Sequence, residues 1–278
     1  MIFIVNPISG VSRKEKIVSF LKKKGHNIVF TEYAGHAEIL ARNAEDKIIV
    51  AVGGDGTVNE VARGILGTDK VLGIIPCGSG DGLALHLGIS RLYKKAYKTI
   101  LEGKVSAIDS GEINGHPFFS ICGLGFDATV SERFAKSGKR GLINYIKHGL
   151  KIWHKYTPEK YHINIDGTEW ENEAALITVG NSNQWGNNAR IAPNADIMDG
   201  MLDITIVDMF MGIEIPTLAL LLMTGKLSIN SRVHCYRGKN ITIKRPFKGP
   251  AHADGDWFNA GETLEIGIRP HSLNVIIP

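Results

Sequence analysis

Cysteine is scarce in this chain. Cys77, Cys122 and Cys235 are the only three in 278 residues, too few and too scattered for a disulfide framework or a Cys-x-x-Cys metal site. A reducing, cytoplasmic setting is the expectation that follows. Long hydrophobic runs are missing as well. The longest, Leu218 to Met223, falls far short of the roughly 20 residues that cross a bilayer as a helix. Membrane contact, if made, is therefore expected to be peripheral, on the inner face. The chain opens on Ile2-Phe3-Ile4-Val5 with no basic leader, so no signal peptide is expected. Neither charge sign dominates: 32 Lys and Arg stand against 28 Asp and Glu, a formal net charge of +4. That balance suits an anionic ligand or membrane surface and is far from a nucleic-acid binder's basic patch.

Glycine, by contrast, is plentiful. The 32 glycines fall in short clusters and not in a repeat, which excludes collagen-like and low-complexity readings. The length allows two domains or one large one. Over the first hundred residues, apolar runs alternate with amphipathic segments. Ile2–Val5, Asn27–Thr31, Lys47–Val52 and Val71–Pro76 read as strands; Lys14–Lys24, His36–Glu45 and Val58–Ile65 read as helices. This rhythm predicts an α/β domain with a parallel sheet covered on both faces. In such sheets ligands bind beyond the carboxyl ends of the strands. Asn6–Gly10, Gly53–Thr57 and Gly78–Gly82 would all lie at that rim.

After about residue 105 the pattern changes. Val105–Ile113 and Phe118–Ile121 flank Asn114-Gly115, and Tyr161–Ile165 and Ala174–Val179 bracket Asp166-Gly167, both hairpin signals. Met201–Val207, Arg232–Cys235, Asn240–Lys244, Thr263–Ile268 and Leu273–Ile277 add strands. The expectation is a mainly antiparallel second domain with helical interludes near Leu142–Lys155 and Ile213–Thr224.

Gly53-Gly54-Asp55-Gly56-Thr57 follows a strand and precedes a helix. Glycines there let backbone N–H groups approach phosphate oxygens, and the helix N-terminus adds positive potential. Thr57 and Glu60 have capping-box spacing. Capping leaves Asp55 unexplained, and an acid beside a phosphate cradle suits Mg²⁺ or a hydroxyl. No Gly-x-x-x-x-Gly-Lys-Ser/Thr occurs, which disfavours P-loop enzymes. Gly123-Leu-Gly125-Phe-Asp-Ala128 matches a dinucleotide fingerprint weakly, without a clean crossover unit around it. Gly78-Ser79-Gly80-Asp81-Gly82 repeats the strand–glycine–helix logic one element later, and two such loops on neighbouring strand ends point to one nucleotide site.

Together, Asn6-Pro-x-Ser9-Gly10, Thr31 followed by His36-Ala37, Gly53 to Thr57 with Glu60, and Gly78-Ser-Gly-Asp-Gly-Leu-Ala84 resemble the diacylglycerol kinase catalytic-domain family. That family takes in bacterial lipid kinases and sphingosine kinases. The resemblance continues through Gly125-Phe-Asp-Ala128, Pro193 to Asp203 and Asp254-Gly255-Asp256, nearly the whole chain. It implies an NAD kinase-like α/β domain over 1–108, to which 270–278 can return, and a β-sandwich lipid domain over 109–269. It implies ATP and Mg²⁺ as cofactors and transfer of the γ-phosphate to a hydroxyl of diacylglycerol or a sphingoid-type lipid. By position, Asn6, Ser9, Gly10, Thr31, Gly53, Gly54, Asp55, Gly56, Thr57, Val58, Asn59, Glu60, Gly78, Ser79 and Gly80 would hold the nucleotide. Asp254, with Asp256 and Asp55 as rivals, would be the catalytic base, and Asp196, Asp199 and the Met201 carbonyl a second Mg²⁺ position. Phosphoryl transfer uses such groups to position the γ-phosphate, neutralise it and orient the hydroxyl.

The departures are specific. The family's Gly-Thr-x-Asn-Asp is Gly-Ser-Gly-Asp-Gly here, so Asp81 replaces an amide and Gly82 an acid. Thr129 stands where sphingosine kinases carry an acid for the amino-alcohol head group. Asp256 replaces a glutamate, one methylene shorter. NAD kinase, which shares the Gly-Gly-Asp-Gly-Thr element, and a non-catalytic nucleotide- or lipid-binding protein are the alternatives. The lipid acceptor is left open, as is a homodimer.

Overall fold

A computed structural model describes residues 1–9, 11–136, 149, 152–153 and 156–278. The predicted helix over 142–155 falls mostly outside these residues. The chain divides into two compact units, Met1–Asp109 with Pro270–Pro278, and Ser110–Arg269.

In the first unit, β1 (Ile2–Val5), β2 (Asn27–Phe30), β3 (Ile48–Gly53) and β4 (Val71–Pro76) form a parallel sheet in the order β2-β1-β3-β4. The registers Ile4↔Val29, Ile4↔Ala51 and Val52↔Ile75 align the strands so that their carboxyl ends share one rim. β1 and β4 are buried at every position, as strands covered on both faces must be. The cover comes from α1 (Val11–Lys23), α2 (His36–Asn43), α3 (Asp55–Ile65), α4 (Gly82–His86) and α5 (Tyr93–Glu102). Ile17, Leu21, Ala41, Val61, Ile65, Ala96 and Ile100 are the buried residues they turn inward. α3 begins at Asp55, three residues earlier than the periodicity predicts. Gly54 is its extended N-cap residue, and an acid in the first turn suits the helix dipole.

The second unit is antiparallel. Its strands are the end of β5 (Lys104–Ile113), β6 (His116–Phe118), β7 (Ile121–Gly125), β8 (Glu159–Ile165), β9 (Thr168–Ala174), β10 (Leu176–Gly180), β11 (Leu202–Val207), β12 (Val233–Gly238), β13 (Asn240–Lys244), β14 (Gly249–Ala253), β15 (Asp256–Ala260) and the first half of β16 (Thr263–Ile277). One sheet runs β12-β11-β10-β7-β14-β15; the other joins β9, β8, β13 and β16, with β5 on β16 and β6 on β5. Their inner faces share a core containing Phe118, Leu124, Tyr161, Ile163, Ile204, Ile243 and Leu264, which makes the unit a sandwich. α6 (Phe126–Lys136) and α7 (Ile215–Thr224), with short 3-10 turns at Gly212–Glu214 and Leu227–Ile229, lie beyond the core.

Asn114-Gly115 and Asp166-Gly167 are hairpin turns with both residues at positive φ, as predicted. The strand after Asp166-Gly167, however, is β9, whose sequence TEWENEA shows no apolar run. Only alternate positions face inward, so polar residues occupy the rest. Among the described residues no helix is long and apolar enough to cross a membrane.

Candidate active site

The sheet rim of the first unit ties three sequence-predicted segments together by named bonds. Asn6 follows β1, and its Nδ2 donates to Thr57 Oγ1 at 3.0 Å while its Oδ1 accepts the Ile8 N–H at 3.0 Å. Ser9 Oγ accepts the Gly54 N–H at 3.0 Å. Gly10 lies outside the described residues. Thr31, buried at the end of β2, donates its N–H to Val5 O at 3.0 Å.

The two glycine loops are in backbone contact, and this is where glycine is required. A Cβ at Gly78 would lie 2.5 Å from the Gly54 Cα, and one at Gly80 would lie 2.6 Å from Asp55 Oδ2. Asp55 locks the loops: its Oδ2 accepts the Asp81 N–H at 2.8 Å and its Oδ1 the Gly82 N–H at 2.6 Å. It therefore caps α4 across the fold, which corrects the view that a turn cannot account for it. Burial pushes the Asp55 carboxyl above its ordinary value, against those N–H donors and the Arg91 charge. Asp81, the substituted amide position, accepts the Gly78 N–H at 2.9 Å and faces Arg91 Nε at 3.2 Å. Arg91 also donates to the carbonyls of Ser79 and Gly80, at 3.2 and 2.6 Å. No motif marks Arg91, which lies outside both glycine runs.

The capping box is likewise corrected. Thr57 sits inside α3, and Glu60 Oε2 accepts the Ala37 N–H at 3.0 Å, capping α2 instead. Val58 and Asn59 are buried in α3. What remains for a ligand is the first turn of α3. Gly56 and Thr57 have no intrahelical acceptor for their N–H groups, and a Cβ at Gly56 would meet nothing within 4 Å.

In the second unit, Asp254 and Gly255 are the two turn residues between β14 and β15, at φ 51° and 86°. The side chain of Asp254 turns back onto the chain. Oδ1 accepts the N–H groups of Ser120 and Ile121 at 2.8 and 2.9 Å, and Oδ2 that of Phe119 at 2.8 Å. Burial outweighs these donors and raises its carboxyl to about 6. Asp256 begins β15 and is exposed.

Two residues before Asp254, buried His252 accepts the Gly255 N–H on Nδ1 at 3.3 Å. That leaves the proton on Nε2, which donates to Asp127 Oδ2 at 3.2 Å. Asp127 also accepts the Thr178 hydroxyl at 3.2 Å and the Ala128 N–H at 2.8 Å. A Cβ at Gly123 would lie 2.5 Å from Asp127 Oδ2 and 2.7 Å from His252 Nε2. This glycine makes room for the polar pair, which gives the weak dinucleotide match a packing explanation.

Asp127 also borders a cavity of about 270 Å³ whose lining is almost wholly apolar. Phe126, Trp153, Leu176, Phe210, Leu218 and Leu222 are among its walls. Phe126 meets Trp153 edge-on at 4.8 Å, and Trp153 stacks on Phe210 at 4.0 Å. Among the described lining residues Asp127 is the charged one.

The metal positions of the resemblance fare differently. Asp196 Oδ1 accepts the Met198 N–H and Asp199 Oδ1 the Met201 N–H, both at 3.0 Å. The other oxygen of Asp199 pairs with Arg237, whose Nε lies 3.3 Å from Asp203. The Arg237 guanidinium already engages Asp199, one of the expected ligands, so this donor set does not fit Mg²⁺ as arranged. Among the described residues no group of three or more His, Cys, Asp or Glu side chains is placed to hold a metal.

Residues 1–113 match the model of the diacylglycerol kinase catalytic domain, and residues 120–277 that of the YegS C-terminal NAD kinase beta sandwich-like domain. The chain belongs to this family of lipid kinases. Its members include "Probable lipid kinase YegS" of Escherichia coli O1:K1 / APEC, 30% identical over 246 residues, or 86% of this chain and 80% of that protein. The protein of the same name from Shigella boydii serotype 18 (strain CDC 3083-94 / BS512) is 31% identical over 247 residues, with the same coverage of 86% and 80%. A crystal structure of a diacylglycerol kinase from Bacillus anthracis str. Sterne superposes with a TM-score of 0.78 at 22% identity, covering 100% of this chain and 96% of that one. At that identity the likeness speaks for the fold. In this chain the sandwich unit carries both Asp254 and the apolar cavity.

Proposed function

We propose that this chain is an ATP-dependent lipid kinase that transfers the γ-phosphate to a hydroxyl of diacylglycerol or a long-chain, sphingoid-type lipid. The observation that carries the reading is the apolar cavity of the sandwich unit, bordered by Asp127, whose partner His252 bonds to the Asp254-Gly255 turn. An acyl or alkyl chain suits such walls, whereas the nicotinamide and ribose of NAD would leave their polar groups unpaired there.

The nucleotide is assigned to the first unit. The N–H groups of the first turn of α3 are donors for phosphate oxygens, and Asn6, Ser9, Asp55 and Arg91 hold the loops in one shape before ATP arrives. Mg²⁺ is proposed to enter with ATP as the counter-ion of its phosphates, and would supply charge neutralisation there.

Asp254 is the proposed general base. Three backbone donors leave one lone pair on Oδ2, and a carboxyl raised to about 6 is ionised at neutral pH yet more basic than an ordinary aspartate. It takes the hydroxyl proton as the lipid oxygen bonds to the γ-phosphorus and the bond to ADP breaks. Thr129, whose hydroxyl donates to Gly125 O at 2.9 Å, offers no acid for an amine head group.

A kinase assay with γ-labelled ATP, Mg²⁺ and a panel of lipids tests the proposal. Label is expected in an extracted lipid. Label in NAD, or ATP binding with no turnover on any acceptor, would overturn it.

A further inference from the structure

Helix α7 reads IPTLALLLMT and carries no charged residue. A helix apolar all round is ordinarily buried all round. Here one side is. Ile215, Leu218 and Leu222 line the cavity, while Leu220 and Met223, three residues apart on the other side, are 64% and 48% exposed. The exposure continues on both flanks: Met211 and Ile213 ahead of the helix at 65% and 83%, and Ile229 behind it at 72%. Single exposed apolar residues are common on any surface, but a cluster on one helix and its flanks is a surface that water leaves uncompensated. Ten residues of helix reach about 15 Å, half a hydrocarbon thickness, so α7 can lie within a membrane interface but not cross it.

Two features select the occupant. The carboxyl end of α7 is flanked by exposed cations: Arg190 donates its N–H to Leu222 O at 3.0 Å, and Lys226 donates its own to Leu221 O at 2.8 Å. The acid at the amino end, Glu214, is held by Arg232 at 2.7 Å. The rim of the patch is therefore positive. The same helix also forms a wall of the cavity, so whatever covers its outer side adjoins the apolar space on its inner side. We propose that the Met211–Ile229 face is a membrane-docking surface, inserting Ile213, Leu220, Met223 and Ile229 among the lipids of an anionic bilayer, with Arg190 and Lys226 at the headgroups. Insertion scales with the apolar area taken up and is reinforced by anionic headgroups. The choice of a lipid phase rests on the kinase reading above, but docking needs neither ATP nor turnover, so the two can fail separately.

The test is sedimentation of the full chain with vesicles of phosphatidylcholine and phosphatidylglycerol in equal parts, beside vesicles of phosphatidylcholine alone. Wild type is expected to pellet with the mixed vesicles and more weakly with the neutral ones. A Leu220→Glu, Met223→Glu double variant should lose about tenfold or more in vesicle partitioning, with its circular dichroism and its ATP binding unchanged. A second variant, Arg190→Glu with Lys226→Glu, changes two exposed side chains and should lose the preference for anionic vesicles. Equal pelleting of wild type and both variants, or no pelleting of wild type, overturns the proposal. So does a wild-type dimer that the double variant converts to monomer, because the face would then cover a second copy.

Discussion

The glycine rim of the first unit and the hollow of the second treat polarity in opposite ways. At the rim, side chains of Asn6, Ser9, Asp55, Asp81 and Arg91 are spent on backbone groups and on one another, and the loops meet Cα to Cα between Gly54 and Gly78. The hollow is walled by Phe126, Trp153 and Leu218, and Asp127 is the charged residue among its described lining. One region is held together by interlocked hydrogen bonds; the other offers almost none. A charged nucleotide and an apolar chain are what these two environments respectively favour.

The contrast predicts lesions that separate cleanly by unit. The largest effect is expected from Asp254→Asn: turnover should fall about 1,000-fold, as for loss of a general base, while ATP affinity by calorimetry stays at the wild-type value. Loss of ATP binding as well would end the separation. Gly78→Ala comes next. Its Cβ falls 2.5 Å from the Gly54 Cα, which is backbone and cannot swing aside. Overpacking costs about 1–3 kcal/mol, to be read as a lower melting temperature and at least tenfold weaker ATP binding. Leu218→Asn puts an amide into the apolar wall and should raise the lipid KM several-fold with the ATP KM unchanged.

The pH dependence sharpens the comparison further. Asp254 is raised from the ordinary 3.8 to about 6. Activity should therefore rise with pH on a limb near 6, as the base loses its proton. The stability sign is opposite: the buried charge costs the fold nothing below 3.8, and the penalty grows until pH passes about 6. A rate profile flat from pH 5 to 8 would remove Asp254 from the base role. The smallest effect is expected from Asn6→Ala, which loses the bond to Thr57 and should cost about 1 kcal/mol in thermal unfolding.

Much of the first unit was legible in the sequence because its strands are buried on both faces, and continuous runs such as Ile2–Val5 and Val71–Pro76 announce themselves. Asn114-Gly115 and Asp166-Gly167 were legible because few other dipeptides accept positive φ at both positions. β9 was not, since its outward residues are Glu169, Glu171 and Glu173 and no apolar run marks it. The Thr57–Glu60 spacing misled for a related reason. It satisfies a local rule, but Glu60 finds its donor 23 residues away at Ala37. The hollow was invisible because Phe126, Leu176, Phe210 and Leu218 are residue types that any core would use. Arg91 and His252 carry no motif at all; only their partners give them meaning.

β16 runs from Thr263 to Ile277, and its second half lies parallel to β4, with Asn274 opposite Val71 and Val275 opposite Leu72. Ser272 O accepts the Gly67 N–H, and Leu273 and Val275 are buried. The ribosome therefore makes the final strand of the first unit only after every residue of the second. During synthesis β4 waits as an open sheet edge, the kind of surface that recruits stray strands. A chain cut after residue 269 keeps the whole sandwich yet leaves the parallel sheet of the first unit unfinished, so the damage from a C-terminal truncation should appear at the N-terminal end of the protein.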